Sequence, residues 1–213
     1  MRLPNSAHES VPWRIREIVP DFTLEDVWEL PAQGGADDFD DLIELGASAD
    51  LANADSLPTR ALWRLRDRLG AWFDLGRIST PDEVVGKGEL SIPGRNETSL
   101  AGRLPADLRG TAADVDFGSL PFVPLYRTDV EFAAEMSNRT VHGVMHLAWV
   151  AQGGARYQAQ MAVYVKPRGL FGKGYMALIK PFRYLIVYPA LTRQTERMWN
   201  ERPARGGALS RSA

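Results

Sequence analysis

The chain of 213 residues has no cysteine. That excludes disulfides, thiolate metal sites and a cysteine nucleophile, and it agrees with a reducing compartment. No secretory leader is expected, because the opening MRLPNSAHESVPWRIREI has no uninterrupted apolar core. The longest apolar region lies near the C-terminus, but Lys173, Lys180 and Arg183 interrupt it well short of the ~20 residues that span a bilayer. No transmembrane segment is expected, and the reading is a cytoplasmic protein. A net charge of -2 supplies no basic face or domain for nucleic acid. There is no Gly-x-Gly-x-x-Gly after a strand to hold a dinucleotide and no Gly-x-Ser-x-Gly elbow to present a serine nucleophile. Gly86-Lys87-Gly88 and Gly172-Lys173-Gly174 lack the spacing of a phosphate-binding loop. No motif calls for a cofactor.

What is present suits a folded domain. Hydrophobic residues make up 45% of the chain, enough for a sizeable core. The expected organisation is a tail over residues 1–12, one α+β domain over 13–200 and a second tail over 201–213, with residues 1–11 frayed. Residues 13–19 read as a first strand. Thr23 reads as the cap of a short helix over 24–30, with Asp26 in place of the capping-box glutamate. The acidic run 37–41 reads as a helix start or turn, since it lacks the glycine and distant glutamate of a calcium loop. Residues 56–75 carry Ala61, Leu62, Leu65, Leu69, Trp72 and Phe73 at three-four spacing, the mark of a buried helix face. Residues 76–120 are the least legible, with short strands expected in 82–92 and a helical turn near 104–110.

The last third is the clearest. Val130, Phe132, Ala134 and Met136 alternate with Asp129, Glu131, Glu135 and Ser137. In 140–150, Val141, Met145, Leu147 and Trp149 take one side and His142 and His146 the other. In 156–166, Tyr157, Ala159, Met161 and Val163 oppose Gln158, Gln160 and Tyr164. Period-two alternation with short turns predicts an antiparallel meander with one covered face. The cover is a helix over 170–199, which Pro181 and Pro189 should kink or split. The fold class is therefore α+β, a curved antiparallel sheet packed by a long C-terminal helix.

The run Pro167-Arg168-Gly169-Leu170-Phe171-Gly172, with Tyr175 and Pro181-Phe182-Arg183, resembles the bacterial domain-of-unknown-function family 2867, and so does Leu62-Trp63-Arg64-Leu65-Arg66-Asp67-Arg68-Leu69. The family's domain also follows a dinucleotide-binding module in some atypical short-chain-dehydrogenase-like proteins. The resemblance covers most of 13–199. It implies a START-like helix-grip fold and no established activity, and it suggests a separate dehydrogenase as a partner.

His142 and His146 invite a metal reading, but on a strand four residues at about 3.3 Å put them roughly 13 Å apart, too far to share an ion. They read instead as polar-face histidines, with a homo-oligomer contact as one use. Asp129, Glu131 and Glu135 fall opposite the apolar face and read as solvated rather than as a general base. His8 falls in the expected tail. The stronger functional signal is apolar: Met145, Trp149, Tyr157, Met161, Tyr175 and Met176 are expected to line the space between sheet and helix, the usual make-up of a small-molecule pocket. Three uses follow: binding an apolar or amphipathic small molecule, a cyclase- or dehydratase-like reaction in the same cavity, or a non-catalytic accessory role. The residues name no catalytic group and leave catalysis open.

Overall fold

Alternating residues in the last third become the middle of an antiparallel sheet in the computed structural model of the chain. The structure describes residues 1–48, 99–118, 120, 122–137 and 141–202. Its elements are β1 (Arg2–Leu3), α1 (Asn5–Glu9), α2 (Ile15–Ile18), β2 (Thr23–Gly34), α3 (Phe39–Ser48), β3 (Val123–Arg127), β4 (Glu131–Ser137), β5 (Val141–Gly153) and β6 (Arg156–Pro167). They are followed by α4 (Gly169–Phe182), a π-helical turn (Arg183–Val187) and α5 (Tyr188–Glu201). The six strands run in the order β1-β2-β6-β5-β4-β3, each antiparallel to its neighbours. The α+β class and the C-terminal helix are as expected. Helix 56–75 with Trp72, and the strands in 82–92, lie outside the described residues; the turn near 104–110 is a 3-10 helix at Ala106–Leu108.

The β5–β6 hairpin closes through Gly154 and Ala155, at φ 60° and 58°. Two positive φ values give the turn a twist that matches the flanking strands. At the far edge β3 is short, contains Pro124 and is bulged between Pro124 and Tyr126, features that discourage pairing with another sheet.

Three early expectations are corrected. Residues 24–30 form part of β2, not a helix. Bulges between Leu24 and Asp26 and between Glu29 and Gln33 break the alternation that would have marked a strand, and β6 supplies its ladder partners. Residues 13–19 contain the helical turn α2, because the amides of Arg14 and Ile15 are taken by the Glu131 carboxylate rather than by a strand. Residues 1–11 are ordered as β1 and α1, and His8 is fully buried.

The sheet is covered on both faces, not one. The apolar face (Leu30, Ala32, Phe132, Leu147, Trp149, Ala159, Met161) packs on Phe39, Leu42 and Ile43 of α3 and on Tyr188 and Trp199 of α5. The opposite face (Val27, Ala133, Val144, Ala148, Ala162, Tyr164) is covered by Trp13, Ile15 and Ile18, and by Leu100, Leu104 and Leu108.

Candidate functional site

The second face explains the polar residues of the meander. Glu131 and Glu135 lie on one side of β4, and His146 and His142 sit diagonally opposite them on β5. His146 Nε2 is 3.1 Å from Glu131, and His142 Nε2 is 2.9 Å from Glu135. Each carboxylate also receives the start of a covering segment: Glu131 accepts from the amides of Arg14 (3.0 Å) and Ile15 (3.4 Å), and Glu135 from the Ser99 hydroxyl and the Leu100 amide (3.1 Å). An anion at the exposed amides of a helical turn stabilises it. The same diagonal Glu–His device thus anchors two covering segments. Burial pushes Glu131 up, but bonds from His146, Arg14 and Tyr126 outweigh it and hold the carboxyl below its ordinary value. Burial lowers His146, so its ring is neutral and donates through Nε2.

Correction follows for the solvated reading of Glu131 and Glu135 and for the subunit-contact reading of the histidines. Both carboxylates and both rings are buried inside the fold, whereas Asp129 is exposed. His8 joins them: its Nδ1 donates to Gln160 Oε1 at 2.6 Å, and its ring lies 5.1 Å from that of His146. Among the described residues no group of three or more acidic or histidine side chains is arranged to hold a metal ion.

The apolar face divides into two halves. At the Trp149 end it is packed: Trp149 is 1% exposed, stacks on Tyr157 at 6.1 Å and donates to the Gly35 carbonyl at 2.8 Å. At the other end, Met145, Val163 and Asp26 form one row across β5, β6 and β2. Beside that row stands Trp28, its ring 4.4 Å from Tyr188. Met145, Val163 and Trp28 are only half-buried although they sit on inner strands, whereas Val144, Ala148 and Ala162, on the same strands but the other face, are closed off. Above the row lie Met176 and Ile179 of α4, packed with Val141 and Val165, and the π turn.

The π turn supplies the polar end of this half. Asp26 is fully buried and accepts from Arg183 Nη2 at 2.5 Å, Tyr188 O–H at 3.0 Å and the Tyr184 hydroxyl. Burial raises both tyrosines, Tyr184 to about 12, so both hydroxyls remain neutral donors. Arg183 Nε also contacts the Tyr188 hydroxyl at 3.2 Å. Buried Arg183 Nη1 has no hydrogen-bond partner among the described residues. A helix that slips into π geometry often does so at a functional site.

Of the expected lining residues, Met145 and Met176 fall at the half-open end. Trp149, Met161 and Tyr157 fall in or against the packed end. The Tyr175 side chain lies outside what is described. Sequence reasoning missed Asp26, Arg183, Tyr184 and Tyr188. The available signal was the polar tips Arg183, Tyr184 and Tyr188 inside an otherwise apolar run.

A family model described as a protein of unknown function, DUF2867, matches residues 18–190. No curated protein and no solved structure matches the chain.

Proposed function

Because the chain belongs to the DUF2867 family, which has no assigned activity, its role is read from its own residues, and we propose that it binds an apolar or amphipathic small molecule between the sheet and the C-terminal helix. The observation that carries this is the half-exposure of Met145, Val163 and Trp28 on inner strands, with Val163 against α4 and Trp28 against Tyr184 and Tyr188. Side chains at the centre of a sheet are ordinarily closed off, as they are on the opposite face. The ligand's apolar body would lie on Met145, Val163 and Trp28 under Met176, with Tyr157, Trp149 and Met161 backing the floor. Its polar end would be a carbonyl or carboxylate oxygen that accepts from Arg183 Nη1. A mostly apolar site with a few placed polar groups is the common form of such pockets. An antiparallel sheet with a helix lying along one face also supports the START-like, helix-grip relationship.

The cyclase- or dehydratase-like reading receives less support. Its natural base here is Asp26, but both carboxylate oxygens already accept from Arg183, Tyr184 and Tyr188. A base so occupied is poorly placed to take a substrate proton. Binding is tested by native mass spectrometry of protein purified from its source cells. The wild type should carry a small-molecule mass, and Met145→Trp, which fills the half-open end, should lose it while keeping its circular dichroism. A wild type free of adducts, or a variant that retains the same adduct, would overturn the proposal.

A further inference from the structure

Helix α4 is apolar toward the sheet and apolar toward solvent. Met176 and Ile179 point at β5 and β6. On the outward side Leu170, Gly174, Ala177, Leu178 and Pro181 are all exposed, with Leu170 at 86% and Leu178 at 60%. At about 100° per residue these five fall within one arc of the helix, and that arc holds no polar side chain. Leu185 in the π turn extends the strip at 77% exposure. Apart from Met1, these three leucines are the exposed large hydrophobic residues among those described. An ordinary surface helix puts charge on its outward face, so an apolar strip of this kind calls for an occupant.

Charge names the occupant. Between Glu135 and Glu196 the sequence has eight lysines and arginines and no acidic residue, although the whole chain has a net charge of -2. Exposed Lys173 and Lys180 lie along one edge of the apolar arc. Half-exposed Arg2 sits over the Tyr184 ring at 4.9 Å, beside Leu185 in sequence. Lys166 and Arg168 mark the helix entrance. The acidic groups paired with these cations are Asp21, with Lys166 at 2.9 Å, Glu25, with Lys180 at 3.2 Å, and buried Asp26, 4.0 Å from Arg2. An exposed apolar strip flanked by cations is the pattern of a helix that lies in the interface of an anionic bilayer. No helix among the described residues is long and apolar enough to cross one.

We propose that the outward face of α4 and the π turn docks on an anionic lipid surface, with Leu170, Leu178 and Leu185 entering the acyl boundary and Lys173, Lys180 and Arg2 meeting the headgroups. This stands apart from the ligand reading, since it uses the face of α4 turned away from the sheet. The test is flotation of the full chain with phosphatidylcholine vesicles prepared with and without phosphatidylglycerol. Binding should require phosphatidylglycerol and weaken as salt is raised. The double variant Leu170→Ser/Leu178→Ser should bind about tenfold less with unchanged circular dichroism, its changes being confined to exposed positions. Lys173→Gln should weaken binding to the anionic vesicles alone. Wild type that stays unbound in low salt, or binds both vesicle types equally, would overturn the proposal. So would light scattering that shows an oligomer held by this face, dissociated by the double variant, because a second copy would then be its occupant.

Discussion

At neutral pH the His8 ring carries no charge. Burial is the main cause, the nearby His146 adds to it, and together they lower His8 from 6.5 to about 4. Its Nε2 and His146 Nδ1 have no protein partner among the described residues, so a proton on either would be a buried donor without an acceptor. In the unfolded chain the same ring protonates near its ordinary value. Between about 6.5 and about 4 the unfolded state therefore binds more protons, and stability must fall as pH drops through that window. Above it the penalty is absent; below it His8 adds no further loss. His8 alone is worth about 3 kcal/mol across the full window, and His146 acts in the same direction. Urea midpoints should be lower at pH 5 than at pH 7, and His8→Gln should flatten that slope. An equally steep slope in His8→Gln would show that the acid sensitivity arises elsewhere.

Helix α4 carries several features that weaken a helix. Gly172 and Gly174 each weaken a helix interior by roughly 1 kcal/mol relative to alanine, and Pro181 removes a backbone donor within it. The slip into a π turn at Arg183–Val187 follows directly after that proline. A break near Pro181 was legible in the sequence for this reason; that it aims Arg183 and Tyr188 at Asp26 was not, since the partners are separated by more than 150 residues and share no motif. Among the described side chains of α4, Met176 and Ile179 meet the sheet, whereas β5 lies between two strands and under two covers. Elements with few buried contacts open locally at lower cost. In hydrogen exchange, amides of residues 173–179 should exchange at least about tenfold faster than those of residues 144–149. Comparable protection in the two segments would mean that α4 is fixed to the sheet as firmly as β5.

Across the whole molecule, legibility followed the distance over which each element is specified. The strands from residue 131 onward alternate cleanly and join through short turns, so local pattern was sufficient. The place of Met145 on the apolar face of β5 was legible for the same reason. The cover of the second face was not, because α1 and α2 are too short to show a period and α2 is capped by Glu131 from 116 residues away. A polar face with two histidines and two glutamates reads as solvent-facing until the segment that buries it is known. The N-terminal residues are thus a working part of the fold: Leu3 and Val11 pack with the second-face cluster, Asn5 donates to the Leu24 carbonyl at 2.8 Å, and His8 closes over Gln160 and His146. Deleting residues 1–12 removes these contacts and opens His146 and Tyr164 to water. Partial burial of Leu3 and Val11 together with the His8 contacts suggests a loss on the order of 3 kcal/mol. The truncated chain should therefore unfold at a clearly lower urea concentration, and its stability should depend less on pH between 4 and 6.5 because His8 is gone. A midpoint equal to that of the full chain would show that residues 1–12 lie on the sheet without stabilising it.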